Sequence, residues 1–224
     1  MKDLEKKNTK REKYPFLKES DKLQLSKAIK KIKQIPDVLG IVQIGSSTYS
    51  QDYNDIDIIV FFDRLLIPPE LEAVRKIIGK KAKIWIEGVS IYYKGFNPGS
   101  NVFIKFFSNL KHKKVLYGKN PFTKKRIPLK KTEVAAYIWY HYHICEQYGT
   151  GYENALPNSM NAMLAYIDIF PENKEQTFKI FLKQFRMLAK HLPKNSHIFL
   201  RGTTKANFKE LYPFFEQCLE YFTK

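Results

Sequence analysis

The chain has 224 residues, a formal net charge of +17, 44% hydrophobic and 27% charged residues, and only 21 glycines and prolines together, a composition that suits one large or two small packed domains and excludes disordered or collagen-like chains. No run approaches the ~18 consecutive apolar residues of a transmembrane helix, and no apolar segment follows the charged start at Met1 to Lys13, so neither membrane insertion nor secretion is expected. Two cysteines, Cys145 and Cys218, without CxxC spacing exclude a disulfide framework and a zinc ribbon and point to a reducing cytoplasm.

Residues 1–19 read as a basic arm anchored by Tyr14, Pro15 and Phe16. Ser20 or Asp21 can cap a helix in which Leu25, Ala28, Ile29, Ile32 and Ile35 recur on one face, and Pro36 ends it. Val38 to Ile44 and Ile56 to Phe62 are β-branched apolar runs that read as buried strands. Pro68 and Pro69 open a short helix carrying Leu71, Val74, Ile77 and Ile78, closed by Gly79. Lys83 to Lys94 and Asn101 to Phe107 are strand-like, and the turn residues Asn97-Pro98-Gly99-Ser100 between them predict an antiparallel hairpin. Leu110 to Tyr117 predicts a short helix. After Thr132 four helical segments follow, at Glu133 to Tyr148, Ser159 to Phe170, Lys174 to His191 and Ala206 to Phe222. The expected organisation is an arm (1–19), an α/β domain (20–117), a basic linker (118–132) and a helical domain (133–224).

The charge is unevenly placed. Residues 88–132 hold 11 Lys/Arg and no Asp or Glu, so 45 residues supply +11 of the +17. A field of that kind attracts polyanions, which favours nucleic acid or a nucleoside triphosphate over a neutral metabolite. Lys111, Lys113, Lys114, Lys124, Lys125 and Arg126 are the expected nucleic-acid contacts. A generally Lys-rich composition, with only six arginines, explains the total but not the missing acids.

The segment richest in chemistry runs from Ile41 to Val60. A strand delivers Gly45-Ser46, a short polar loop returns the chain, and the next strand opens with Asp55 and Asp57 at i and i+2 on one face. Two neighbouring carboxylates repel unless a cation lies between them, and Mg²⁺, hard and oxygen-loving, is the natural one. Glycine lets the backbone approach a phosphate, successive N–H groups can cradle the anion, and the Ser46 hydroxyl adds a donor.

This pattern resembles the nucleotidyltransferase superfamily of DNA polymerase beta, kanamycin nucleotidyltransferase and the minimal nucleotidyltransferases. The shared signature is a hydrophobic strand, Gly-Ser, a loop, then Asp-hydrophobic-Asp-hydrophobic, with the loop from Ser46 to Asp55 at the short end. The resemblance implies a nucleotidyltransferase-type mixed sheet flanked by helices and followed by a helical bundle. It implies that Gly45, Ser46 and Ser47 hold the triphosphate of an NTP such as ATP, and that Asp55 and Asp57 bind two Mg²⁺ ions. The superfamily usually adds a third carboxylate on a later strand to complete the metal site or accept a proton. Asp63 lies past its strand and Glu70 and Glu72 sit in a helix's first turn, which leaves Glu87.

Two other spacings carry less. Arg186 and His191 match the Arg-x4-His spacing of the HEPN ribonucleases, but six arginines and five histidines produce it by chance. His141, His143 and Cys145 read as part of an aromatic helix face with Tyr137, Trp139 and Tyr148 rather than as a zinc site. The expected activity is Mg²⁺-dependent transfer of a nucleotide to a hydroxyl, with an RNA 3′ end, plausibly of tRNA, as first acceptor. The alternatives are a protein hydroxyl or an antibiotic-like small molecule, or a catalytically weak nucleic-acid-binding module. A partner protein is compatible with each.

Overall fold

Helix α1 (Glu19–Ile32) buries Leu25, Ala28, Ile29 and Ile32 along one stripe, as the spacing predicts. Its start differs from expectation. Lys18 is the N-cap and provides no side-chain cap, while Ser20 and Asp21 lie within the first turn. The computed structural model describes residues 14–62, 73–74, 76–77, 84–89, 100–120, 122–123, 126–148, 152–197 and 208–224.

The two apolar runs form strands with the expected bounds, β1 (Val38–Ile44) and β2 (Ile56–Phe62). They pair antiparallel, with Ile44 opposite Asp57. Strand β3 (Ile84–Val89) runs parallel to β2, and β4 (Lys114–Gly118) runs antiparallel to the other edge of β1, giving a mixed sheet of order β3-β2-β1-β4. The end of β1 and the starts of β2, β3 and β4 therefore meet at one end of the sheet. Ile41, Ile56, Ile58, Val60 and Phe62 pack in one cluster with Leu25, Ile29 and Ile32 of α1, each buried side chain contributing about 1.5–3 kcal/mol. At the opposite end Gly118 has φ 65°, and a Cβ there would overlap the backbone of Leu39. Of the helix expected after Pro68, residues Ala73, Val74, Lys76 and Ile77 are helical, with Val74 buried; its remainder lies outside the described residues.

Two expectations fail between residues 100 and 118. The second arm of the expected hairpin is helix α2 (Ser100–Asn109), and the short helix expected over Leu110 to Tyr117 is replaced by strand β4. Val102, Phe103, Phe106 and Phe107 have the helical period, and burial of Val102 and Phe103 in a helical core outweighs their β preference. The segment Lys114-Val-Leu-Tyr-Gly118 finds the free edge of β1 instead.

The chain divides into two compact units, Met1–Tyr92 with His112–Asn120, and Tyr93–Lys111 with Pro121–Lys224. The division does not fall at one linker, because α2 lies in the second unit while β4 returns to the first. The second unit contains α2, α3 (Lys131–Tyr148), α4 (Tyr152–Tyr166), α5 (Lys174–Gln184), α6 (Arg186–Ala189) and α7 (Tyr212–Thr223). Its core gathers Ile138, Leu156, Met160, Met163, Phe181, Phe214, Phe215 and Phe222. Phe181 stacks on Phe185 at 5.3 Å and meets Phe214 edge-on at 5.8 Å. Asn173 caps α5 by accepting from the Gln176 N–H at 2.9 Å. Among the described residues no helix is long and apolar enough to cross a membrane.

Candidate active site

Gly45 ends β1 at φ 75°, ψ −174°, a conformation open at low cost only to glycine. Its missing side chain has a second consequence. A Cβ at Gly45 would overlap the Asp57 Oδ2 and lie 3.3 Å from the Asp57 Cγ. The Asp57 carboxylate thus rests against the bare Cα of Gly45, as the Ile44–Asp57 register dictates.

Past Gly45 the chain makes one tight 3-10 turn, Ser46–Thr48. The Thr48 N–H and hydroxyl both donate to the Gly45 carbonyl, at 3.1 and 2.7 Å, and the Tyr49 and Ser50 N–H groups donate to the Ser46 carbonyl at 3.0 and 2.9 Å. The N–H groups of Ser46 and Ser47, at the open start of the turn, find no acceptor among the described residues. They suit an anion, because the first amides of a helical turn have no acceptor within it.

The Ser47 side chain lies elsewhere than the triphosphate reading supposes. It is buried, and its hydroxyl and carbonyl accept from the amide of Gln43, also buried, at 3.1 and 3.2 Å. Only the Ser47 backbone remains for a phosphate; its side chain fixes the turn. Gln43 was not anticipated, although one polar residue inside Ile41-Val42-Gln43-Ile44 is the available sign of it.

The loop that returns the chain to Asp55 is braced from below. Tyr53 is 7% exposed; its hydroxyl donates to Asp21 Oδ2 at 2.6 Å and accepts from the Lys18 N–H at 3.0 Å. Tyr53 thereby ties the loop to the start of the helix through Lys18 and Asp21. Burial, then the Asp21 hydrogen bond, raises the Tyr53 pKa above its usual value.

Asp55 is exposed and Asp57 half-buried at the start of β2. Residues 45–57 contain Asp52, Asp55 and Asp57 and no Lys or Arg, so the loop is locally acidic in a chain of +17. Hard carboxylate oxygens beside a Cβ-free backbone cradle fit Mg²⁺ held jointly by protein and substrate phosphates. Glu87 falls in β3 between Ile86 and Gly88, where the pairing with β2 shifts register, two residues past Trp85, the partner of Asp57. Among the described residues no cluster of three His, Cys, Asp or Glu side chains forms a metal site.

The basic residues do not share one element. Lys113 and Lys114 stand at the start of β4, at the same end of the sheet as Asp57, with the Lys114 Nζ 4.6 Å from the Tyr14 ring centroid. Lys111 and Arg126 belong to the second unit, both exposed, with the Lys111 Nζ 3.6 Å from Glu172. Lys124 and Lys125 lie outside the described residues. In the helical unit, His141 meets Tyr137 edge-on at 4.7 Å and His143 stacks on Trp139 at 4.6 Å, two ring pairs on different sides of the helix with Trp139 exposed, in place of the single packed face expected. Burial lowers the His141 pKa to about 4.

The fold is that of a nucleotidyltransferase. The chain superposes on the crystal structure of spectinomycin adenyltransferase AAD(9) from Enterococcus faecialis, solved with ATP and spectinomycin, with a TM-score of 0.53 and 12% sequence identity over 92% of this chain and 99% of that one. The likeness spans both units. No protein-family model matches the sequence, and no curated protein matches it.

Proposed function

We propose that the chain is a Mg²⁺-dependent nucleotidyltransferase that moves a nucleoside monophosphate from ATP or another NTP to a hydroxyl acceptor. The observation that carries this reading is the Asp57 carboxylate seated on Gly45, at the mouth of a turn whose first N–H groups are open. Asp55 and Asp57 hold the metal, which neutralises the charge of the triphosphate and of the leaving pyrophosphate. The Ser46 and Ser47 N–H groups receive the phosphates. Glu87 takes the acceptor proton as the hydroxyl oxygen bonds to the α-phosphorus and the bond to the β-phosphate oxygen breaks. Catalysis is then mainly positioning and charge compensation. The compartment that supplies ATP and Mg²⁺ to such a site is the cytoplasm.

A small molecule bearing hydroxyl groups is the acceptor this reading places first. Its support is a structural likeness that runs through the helical unit as well as the sheet, to an enzyme whose described complex pairs ATP with spectinomycin. A second acceptor, an RNA 3′ end, is favoured by the acid-free segment 88–132 and its +11. Purified protein is incubated with Mg²⁺ and each α-labelled NTP, with spectinomycin and other aminocyclitols in one series and total RNA in another, beside Asp55→Asn and Asp57→Asn. Label entering a small-molecule product only with intact carboxylates establishes the first acceptor, and label in an RNA band the second. Pyrophosphate release undiminished in Asp57→Asn overturns the metal assignment.

A further inference from the structure

Tyr49 directly follows the 3-10 turn and is 36% exposed. Its ring lies against the imidazole of His112, with centroids 4.4 Å apart and planes tilted by 37°. Neither position is accidental to the sheet. The Tyr49 N–H donates to the Ser46 carbonyl at 3.0 Å, which fixes Tyr49 at the end of the turn. His112 stands two residues before Lys114, the register partner of Gln43, so it sits at the end of the sheet where Gly45 and Asp57 meet. A pair of rings, one of them 36% exposed, therefore stands at the end of the sheet that carries Gly45 and Asp57, one 3-10 turn along the chain from the open amides of Ser46 and Ser47.

We infer that Tyr49, backed by His112, is the surface on which the base of the bound nucleotide stacks. The inference rests on the nucleotidyltransferase reading and adds the base-side contact to its phosphate side. Three features support a base over other occupants. The open N–H groups at the start of the turn suit phosphate, and Tyr49 stands about 6 Å along it, a separation that the sugar between phosphate and base can span. A tyrosine ring offers a π-face, which stacks on any nucleobase without needing a matched hydrogen-bond pattern. The imidazole behind Tyr49 limits its rotation, so less side-chain freedom is lost when a base settles on it. Tyr49 is thus a positioning residue: it sets where the base lies and, through the sugar, where the α-phosphorus lies.

The test compares a nucleotide with its phosphate chain alone. Binding of Mg²⁺-ATP and of Mg²⁺-tripolyphosphate is measured by calorimetry for the wild-type chain and for Tyr49→Ala, Tyr49→Phe and Asp57→Asn, with thermal unfolding of each. Tyr49→Ala is expected to weaken ATP about tenfold, the scale of a lost base–aromatic stack, while tripolyphosphate binding stays as in wild type and Tyr49→Phe keeps both. A merely structural ring pair would lower both ligands together with the melting temperature, and that result overturns the inference. Equal ATP affinity in Tyr49→Ala and wild type, with loss in Asp57→Asn, also overturns it but leaves the nucleotidyltransferase reading standing. Wild-type protein that binds neither ligand overturns both.

Discussion

Replacing Gly45 by alanine probes the site more sharply than removing a carboxylate, because it leaves every charge in place. A non-glycine residue forced to φ 75° costs about 1–3 kcal/mol. The added Cβ also falls on the Asp57 Oδ2, so either the carboxylate or the turn must move. A displacement of about 1 Å at a reacting group is enough to cost about 100-fold in rate. Gly45→Ala is therefore expected to lower kcat/KM for pyrophosphate release by about 100-fold and the melting temperature by about 2–4 °C for each kcal/mol lost. Gly118→Ala is the control. Gly118 also has a positive φ of 65°, and its Cβ would strike the Leu39 backbone at the far end of β1. It is expected to lose comparable stability while keeping the wild-type rate per folded molecule. Wild-type turnover in Gly45→Ala, or equal rate losses in the two glycine variants, refutes a catalytic part for the contact between Gly45 and the Asp57 carboxylate.

Gln43→Leu removes both donors to Ser47 and leaves a buried hydroxyl and carbonyl unsatisfied; a loss of about 1–3 kcal/mol in denaturant unfolding is expected, with a raised KM for the nucleotide. Unchanged stability would show that the Gln43 contact does not hold the turn. Tyr53→Phe leaves the buried Asp21 carboxylate with only the Ser20 hydroxyl, at 3.3 Å, of the two side-chain donors and deprives the Lys18 N–H of its acceptor, and is expected to cost about 1–3 kcal/mol and to speed amide exchange at the start of α1. Exchange like that of wild type there would refute the bracing role. His141 ionises at about 4 in the folded chain against 6.5 for the free side chain, so the unfolded chain takes up a proton that the folded chain refuses between those values. Stability then falls as pH drops from about 6.5 to about 4, by at most about 3 kcal/mol, and is unaffected above that window. His141→Phe should flatten that part of the profile in urea titrations, and parallel profiles for variant and wild type would contradict the desolvation.

Strands β1 and β2 were legible to the residue because each is a β-branched run bounded by chemistry that stops it, Gly45-Ser46 in one case and Asp55 in the other. The positions of Gly45 just past β1 and of Asp57 at the start of β2 were legible for the same reason. Residues 101–107 misled because phenylalanine, valine and isoleucine favour strands in isolation, and only burial within a helical core selects the helical period. Strand β4 escaped because five residues pairing with a strand some 70 positions earlier leave no local periodicity. The contacts that hold the site were the least visible. Tyr53 and Asp21 are 32 residues apart, and nothing within either segment announces the other. The side chain of Ser47 was equally hard to place: Gln43, four residues before it, turns it inward and leaves only its backbone beside that of Ser46.

Because β4 is made only after α2, the first unit is completed by a segment synthesised later than part of the second. On the ribosome, β1 waits with one edge unpaired until residue 118 has emerged and cannot close its sheet from the first 92 residues alone. A fragment cut at Tyr92 would expose that edge and invite pairing between chains, so dissection of the protein into a sheet half and a helical half requires a shortcut across residues 93–111 rather than a simple truncation. The same threading makes the chain cross between the units three times, at 92–93, 111–112 and 120–121, so a nick at 92–93 leaves β4 on the fragment that carries the helices, and a nick at 120–121 leaves α2 on the fragment that carries the sheet.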